Sequence, residues 1–140
     1  MHSKPQHSRA QEIDRRGREL ENALLGVKSG AVNANSVVSG RLSLQTEECK
    51  PGLFSRLMVK RVTRDYSAVG KLNENGTQLE SLWVKEQDLN GRTTSTLLVR
   101  NLGPSGKIYE VTSLEQGPTR EVVTEKHGAL IYSRTELLEK

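Results

Sequence analysis

Histidine side chains are the first candidates for a metal site, because imidazole binds most transition metals. The chain has three, His2, His7 and His127, and none stands at ligand spacing from a cysteine or a cluster of carboxylates. Two lie in a polar N-terminal segment, and the third lies in a predicted turn. The sequence therefore predicts no metal site and no cofactor, and we interpret the histidines as solvated side chains.

Cys49 is the only thiol nucleophile that the chain offers. Lys50 would lower the pKa of this thiol, but Glu47 and Glu48 precede it and oppose that effect. No histidine is near it in sequence to serve as a general base, and the Gly-x-Ser-x-Gly motif of serine hydrolases is absent. We therefore expect no catalytic residue and a protein that is not an enzyme.

A glycine-rich segment at residues 103–107 has part of the pattern of a phosphate-binding loop. It lacks the full Gly-x-x-x-x-Gly-Lys-Ser/Thr spacing and the helix that should follow such a loop. A β-turn with Pro104 at its second position accounts for the same residues. The segment is therefore interpreted as a turn between strands.

Residues 65–70, Asp-Tyr-Ser-Ala-Val-Gly, match the pattern Asp/Asn-x-Ser-x-x-Gly. The segment resembles one half of the cyclic-di-GMP site of PilZ domains, which are also small β-barrels. In that family a separate Arg-x-x-x-Arg element upstream completes the site. Arg61 and Arg64 are spaced differently, and Arg15, Arg16 and Arg18 fall inside a predicted helix. The resemblance covers six residues of 140 and assigns no family.

A row of cations is the most informative cluster of the second predicted strand, which spans residues 53–64. Because alternate residues of a strand share a face, Arg56, Lys60 and Arg64 should project from one side, about 13 Å apart at about 3.3 Å per residue. We place this side on the exterior. A row of this kind either binds a phosphate backbone or is a solvated face that keeps the strand soluble. Only Tyr66 is close enough to serve as a stacking platform for single-stranded nucleic acid.

An amphipathic helix is predicted at residues 9–28, after a polar basic arm at 1–8. Ser8 and Gln11 have the spacing of a capping box, and Gly17 weakens the middle of the helix by about 1 kcal/mol relative to alanine. The apolar stripe has only four large residues, so we expect the helix to dock on another surface. Self-association or docking is assigned to two of them, Leu20 and Leu24.

Turn signals divide the rest of the chain at short intervals. After a linker at 29–36, residues 37–140 are predicted to form a single antiparallel β domain. We predict a mainly β fold: a meander of seven or eight strands, closed into a small barrel or split into a sandwich to hide its edges, with one N-terminal α-helix. Trp83 is predicted to be a core residue. The turn signals are Pro51-Gly52, Asn75-Gly76, Asn90-Gly91, 103–106, Gly117-Pro118 and His127-Gly128.

Charge and hydrophobicity favour assembly. Residues 1–71 carry thirteen Lys or Arg against seven acids, whereas residues 72–140 carry eight against ten. Such halves can complement one another in neighbouring copies. A hydrophobic fraction of 34% and five aromatic residues indicate a thin core, so part of the stability would come from a partner. We therefore expect a homo-oligomer or a larger protein assembly.

Three function classes follow. We favour a structural or assembly protein that packs with copies of itself or with a larger complex, such as a virus or phage particle. The first alternative is an RNA-binding β-barrel module that uses the basic strand face of Arg56, Lys60 and Arg64. The second is a barrel that holds a small ligand. No apolar run is long enough to span a membrane, and no secretory signal is visible, so we expect a cytoplasmic or virion protein.

Overall fold

A computed structural model describes residues 5–26, 37–51, 57–76, 78–115 and 117–137 of the chain. One helix, α1, spans Pro5–Leu25. A short 3-10 turn, Gly103–Ser105, joins two of the strands that follow. The strands are β1 (Val37–Pro51), β2 (Leu57–Leu72), β3 (Leu79–Gln87), β4 (Thr93–Asn101), β5 (Lys107–Ser113), β6 (Thr119–Lys126) and β7 (Ala129–Glu136).

The seven strands form one antiparallel sheet in the order β1-β2-β3-β4-β5-β6-β7. The predicted meander is confirmed. The predicted closure is wrong, because β1 and β7 do not pair with each other and the sheet is not a barrel. Helix α1 contacts both of these outer strands, as well as β5 and β6. A sheet whose two edges meet the same helix must curve around it, so α1 lies on the concave inner side.

The core lies between α1 and the inner side of the sheet. Helical spacing brings Ala10, Ile13, Leu20 and Leu24 onto one stripe, which is the pattern that buries one face of a helix. Each strand contributes alternate residues to the same core, as the two-residue period of a strand requires. The buried strand residues are Val38, Leu42, Tyr66, Ala68, Leu79, Leu82, Val84, Leu97, Val99, Tyr109 and Val123.

Two predicted boundaries are wrong. The helix begins at Pro5 rather than residue 9, so Ser8 lies inside it and is not its N-cap. Proline suits the first turn of a helix because its φ is fixed and its missing N–H has no partner there. Strand β2 spans Leu57–Leu72, so it continues past residue 64, where the second predicted strand ends. Asp65 continues it on the solvent side, where its Oδ1 accepts a hydrogen bond of 2.6 Å from Ser43 Oγ of β1.

From Asn75-Gly76 onward, the turns occur where they are predicted, with one difference in geometry. The predicted turn at Pro51-Gly52 is not described, because Gly52 lies outside the described residues. At Asn75-Gly76 and Asn90-Gly91 only the glycine has a positive φ, so neither turn is type I′, the type that Asn-Gly pairs favour in two-residue hairpins. The loops there are longer than two residues, and Asp88 closes one of them by accepting bonds from the N–H groups of Asn90 and Arg92. His127-Gly128 is the two-residue loop, with φ values of 53° and 83° that fit type I′.

Candidate docking face on the outer side of the sheet

The helix residues predicted for docking lie inside the chain's own core. Leu20 is 1% exposed and Leu24 is 0% exposed, and both pack against the inner side of the sheet. The helix stripe is therefore not a free surface for self-association. Its partner is the concave sheet that follows it in the same chain.

Arg64 also lies on the inner side, which corrects its predicted placement on the exterior. Alternate residues Arg64, Tyr66, Ala68 and Gly70 are all buried or half-buried, whereas the residues between them are more exposed. The guanidinium of Arg64 forms an ion pair with Glu86 of β3, at 2.7 Å from Nη1 to Oε2. A phosphate would have to displace this carboxylate. Arg56 and the side chain of Lys60 lie outside the described residues.

Trp83, predicted to be a core residue, projects from the outer side of β3 and is 43% exposed. Leu82 and Val84, its neighbours in sequence, fill the core on the inner side. A strand that is apolar on both sides calls for cover on both sides. Helix α1 covers the inner side, and nothing in the described part of the chain covers Trp83.

An apolar row crosses the outer side of the sheet through Trp83. Val69 of β2 is opposite Trp83, and Leu98 of β4 is opposite it on the other flank. The same row continues past Glu110 to Val122, and the neighbouring row adds two isoleucines. Val69 is 41% exposed and Ile131 is 69% exposed. We call this surface the outer apolar face: Val69, Trp83, Leu98, Ile108, Val122 and Ile131.

Basic side chains border the outer apolar face on two sides. Lys85 is two residues after Trp83 and therefore on the same side of β3, and its Nζ lies 4.5 Å from the centroid of the indole ring. Arg41 and Arg100 are exposed on opposite flanks, and neither forms an ion pair with a described residue. Weak pairs partly offset two further cations, Lys71 with Glu80 at 3.8 Å and Arg120 with Glu110 at 3.6 Å.

On the inner side of the sheet, the acidic side chains Glu121 and Asp14 accept hydrogen bonds. Glu121 accepts two hydrogen bonds from Arg9, of 2.7 and 2.8 Å, and a third of 2.8 Å from the hydroxyl of Tyr132. The hydrogen bonds from Arg9 are the main cause of a lowered pKa for Glu121. The Tyr109 hydroxyl donates a bond of 2.7 Å to Asp14, and burial followed by this bond raises the pKa of Tyr109. These contacts fix α1 on the sheet.

Within the described ranges, no three His, Cys, Asp or Glu side chains come together as a group that could hold a metal ion. His127 is exposed in the β6–β7 turn, while His2 and the side chains of His7 and Cys49 lie outside the description. Residues 65–70, which resemble part of the PilZ site, belong to the middle of β2.

Comparison with protein-family models, with curated proteins and with solved structures found no match to this chain. The function must therefore be argued from the surface itself. Of the described helices, none has both the length and the apolar composition needed to cross a membrane.

Proposed function

We propose that this chain is a non-enzymatic assembly protein that docks through its outer apolar face on an acidic protein surface in a larger complex. The exposed indole of Trp83, in a row of aliphatic side chains across the sheet, carries the proposal. Monomeric proteins rarely leave large apolar patches exposed to water, and such patches mark interaction sites.

The composition of the face favours a protein as the partner. Tryptophan and arginine are enriched at the centres of protein interfaces, where a few residues supply most of the binding energy. Trp83 has Arg41 and Arg100 on its flanks, and Val69 and Leu98 directly beside it. Aliphatic side chains bury well against another apolar surface but offer no stacking plane to a nucleic acid base.

Charge decides which protein surface fits. Two copies packed outer face to outer face would bring together two faces that both carry an excess of Lys and Arg. Bringing like charges together across an interface costs several kcal/mol, which is enough to disfavour a wrong partner. An acidic surface pairs with the cations while its apolar groups cover Trp83. A second copy of the chain packed in this way is therefore a less favourable partner for this face than an acidic protein.

Site-specific photo-cross-linking in the source cells tests the proposal. A cross-linking residue at Ile131 should capture an acidic protein, and the same residue at Arg15, which is exposed on the far side of α1, should not. The captured protein is then purified, and its affinity is measured for the wild type and for Trp83→Asp. We expect at least a tenfold loss. Equal capture from Arg15, or unchanged affinity of the variant, would refute the proposal.

Single-stranded nucleic acid is the second candidate, favoured by Lys85 above the Trp83 ring and by Arg41 and Arg100, which form no ion pair with a described residue. Sheets that bind single strands combine cations with exposed aromatic residues in this way. Fluorescence anisotropy with unstructured RNA and DNA oligonucleotides distinguishes the candidates. Submicromolar binding at 0.15 M salt, lost in Trp83→Ala, would favour nucleic acid over a protein partner.

A further inference from the structure

The turn between β3 and β4 presents a fully exposed leucine, Leu89, to solvent. Asp88 closes this turn, because its Oδ1 accepts bonds of 2.8 and 2.9 Å from the N–H groups of Asn90 and Arg92. Its backbone carbonyl accepts a bond of 3.0 Å from Gly91, and its N–H donates one of 2.9 Å to Arg92. A loop that is already held in its bound conformation loses little conformational freedom on binding. Leu89 is therefore well placed to anchor a contact with another molecule.

Carboxylates outnumber cations around this leucine. Leu89 lines an open groove at the same end of the sheet, together with four carboxylates and one guanidinium. The guanidinium, that of Arg64, is paired with Glu86, and the other three carboxylates form no ion pair with a described residue. Arg92 is the only Lys or Arg in the turn at 88–92, and Leu114, just after β5, adds a second exposed leucine. We call this surface the acidic end: Asp65, Asp88, Leu89, Leu114 and Glu115.

The acidic end complements the outer apolar face in charge. Both surfaces contain a large exposed apolar side chain, Leu89 in one and Trp83 in the other. Carboxylates border the first, whereas Arg41, Lys85 and Arg100 border the second. Opposite charges across an interface steer association and fix its register, while a few buried anchors supply most of the binding energy. Two copies that pair through these unlike surfaces avoid the repulsion between two outer faces.

The two surfaces of one chain are too far apart to contact each other. From Trp83 to Gln87, the last residue of β3, the strand extends about 13 Å, at about 3.3 Å per residue. Leu89 lies beyond the end of that strand, so it reaches the indole only in a second chain. Because the two surfaces differ, a pair of chains still has one of each free. Such head-to-tail contacts repeat, and they build a closed ring or an open filament.

We propose that the partner of the outer apolar face is the acidic end of a second copy of this chain, an inference that rests on the docking function proposed above. Leu89 of one copy packs on the aliphatic row beside Trp83 of the next. The carboxylates of the acidic end meet the cations that border that row. The chain then assembles with itself head to tail, and the larger complex is built from its own copies.

Two complementary variants test this contact by light scattering and sedimentation of the purified chain. The mass of the wild type should rise with protein concentration and fall as salt is raised, because salt screens the paired charges. Trp83→Asp disables the outer apolar face, and Leu89→Lys disables the acidic end. Each variant alone should associate at least tenfold more weakly than the wild type. An equimolar mixture of the two should form a heterodimer and nothing larger, because only one matched pair of surfaces remains.

Leu102→Lys is the matched control. Leu102 is also an exposed leucine in a turn, but that turn joins β4 to β5 at the opposite end of the sheet. This variant should associate as the wild type does. If Trp83→Asp does not fold, the pair Lys85→Glu and Arg100→Glu takes its place, since both side chains lie on the outer side of the sheet.

Three results would overturn the head-to-tail contact. They are a wild type that stays monomeric at every concentration, a mixture of the two variants that forms no heterodimer, and association that survives in Leu89→Lys. The docking function is judged separately, by the cross-link from Ile131. Capture of a different acidic protein there, with the purified chain monomeric, would remove self-assembly and leave the docking function in place. Capture of a second copy of the chain, lost in Leu89→Lys, would support both.

Discussion

The ring of Tyr109 lies directly against the backbone of Gly17 in the middle of α1. A Cβ atom at position 17 would be 2.6 Å from Cε1 and 2.8 Å from Cδ1 of that ring. One turn earlier on the helix, Asp14 accepts the hydrogen bond of the Tyr109 hydroxyl. The glycine, which weakens an isolated helix, is therefore required for close packing of the helix on β5.

Replacement of Gly17 by alanine should destabilise the protein, although alanine is the better helix former by about 1 kcal/mol. Overpacking of a core costs about 1–3 kcal/mol, so after the gain in helix propensity we expect a net loss of up to about 2 kcal/mol in the free energy of unfolding. Urea unfolding measures it. Gly26→Ala is the control, because a Cβ there meets nothing closer than 3.4 Å. Equal effects of the two variants would contradict the close contact with Tyr109.

Leu24→Ala should destabilise the folded monomer and leave its oligomeric state unchanged at native concentration. Leu24 is fully buried, and deletion of a buried leucine side chain costs about 2–5 kcal/mol. Its neighbour Leu25 is 39% exposed, so Leu25→Ala should change stability by less than about 0.5 kcal/mol. Light scattering follows the mass and urea unfolding the stability. A folded Leu24→Ala variant with altered mass would instead restore the docking role of the helix stripe.

Glu121→Gln should reduce the loss of stability in acid. The pKa of Glu121 is lowered from 4.5, chiefly by the hydrogen bonds from Arg9, so the folded state favours the carboxylate. The resulting stability is present above the unfolded pKa and is lost as the pH falls through the folded one. The wild type should therefore lose stability below about pH 4.5, and the variant should lose less of it. At pH 7 the variant should already be less stable by about 1–3 kcal/mol.

A graded variant tests the assignment to Glu121. Tyr132→Phe removes one of the three hydrogen bonds to the carboxylate and leaves both from Arg9 in place. Its stability should fall between those of the wild type and Glu121→Gln at pH 7, and its acid dependence should be intermediate. The free energy of unfolding is measured from pH 7 to pH 3. The same pH dependence in all three proteins would contradict the assignment.

Local sequence patterns were sufficient to predict the meander. Each turn signal from Asn75-Gly76 onward lies between two strands, and a two-residue hairpin such as His127-Gly128 forces its strands to pair. Closure of the sheet is a different kind of property. It depends on whether β1 meets β7, about ninety residues further along the sequence, and here α1 contacts both of them. No turn or alternation in either strand encodes that contact.

The outer apolar face is not predicted from the sequence because the core side of each strand is assigned from that strand alone, without the strands that pair with it. In β2 the sequence prediction places Arg64 on the exterior, but Tyr66 and Ala68, which share its side of the strand, are buried. The burial of Arg64 depends on Glu86, which only the pairing of β2 with β3 brings near. The sequence does contain a signal for this face. Leu82-Trp83-Val84 and Leu97-Leu98-Val99 are apolar at consecutive positions, whereas a strand with one solvated side alternates apolar and polar residues.

The combined variant Arg41→Gln, Lys85→Gln and Arg100→Gln should weaken partner binding and leave the fold intact. All three cations lie on the outer side, two of them without ion pairs among the described residues, so the cost in stability should be below about 1 kcal/mol. Binding of the acidic partner should become less sensitive to salt, because fewer attractive charges remain to be screened.

Arg64→Gln is the matched control. Its guanidinium pairs with Glu86 on the inner side, so the control should lose about 1–3 kcal/mol of stability and keep the wild-type salt dependence of binding. Urea unfolding and binding titrations at several salt concentrations measure both quantities. The reverse pattern, with a stable Arg64→Gln variant that loses binding and an unfolded triple variant, would mean that β2 presents its opposite side to solvent.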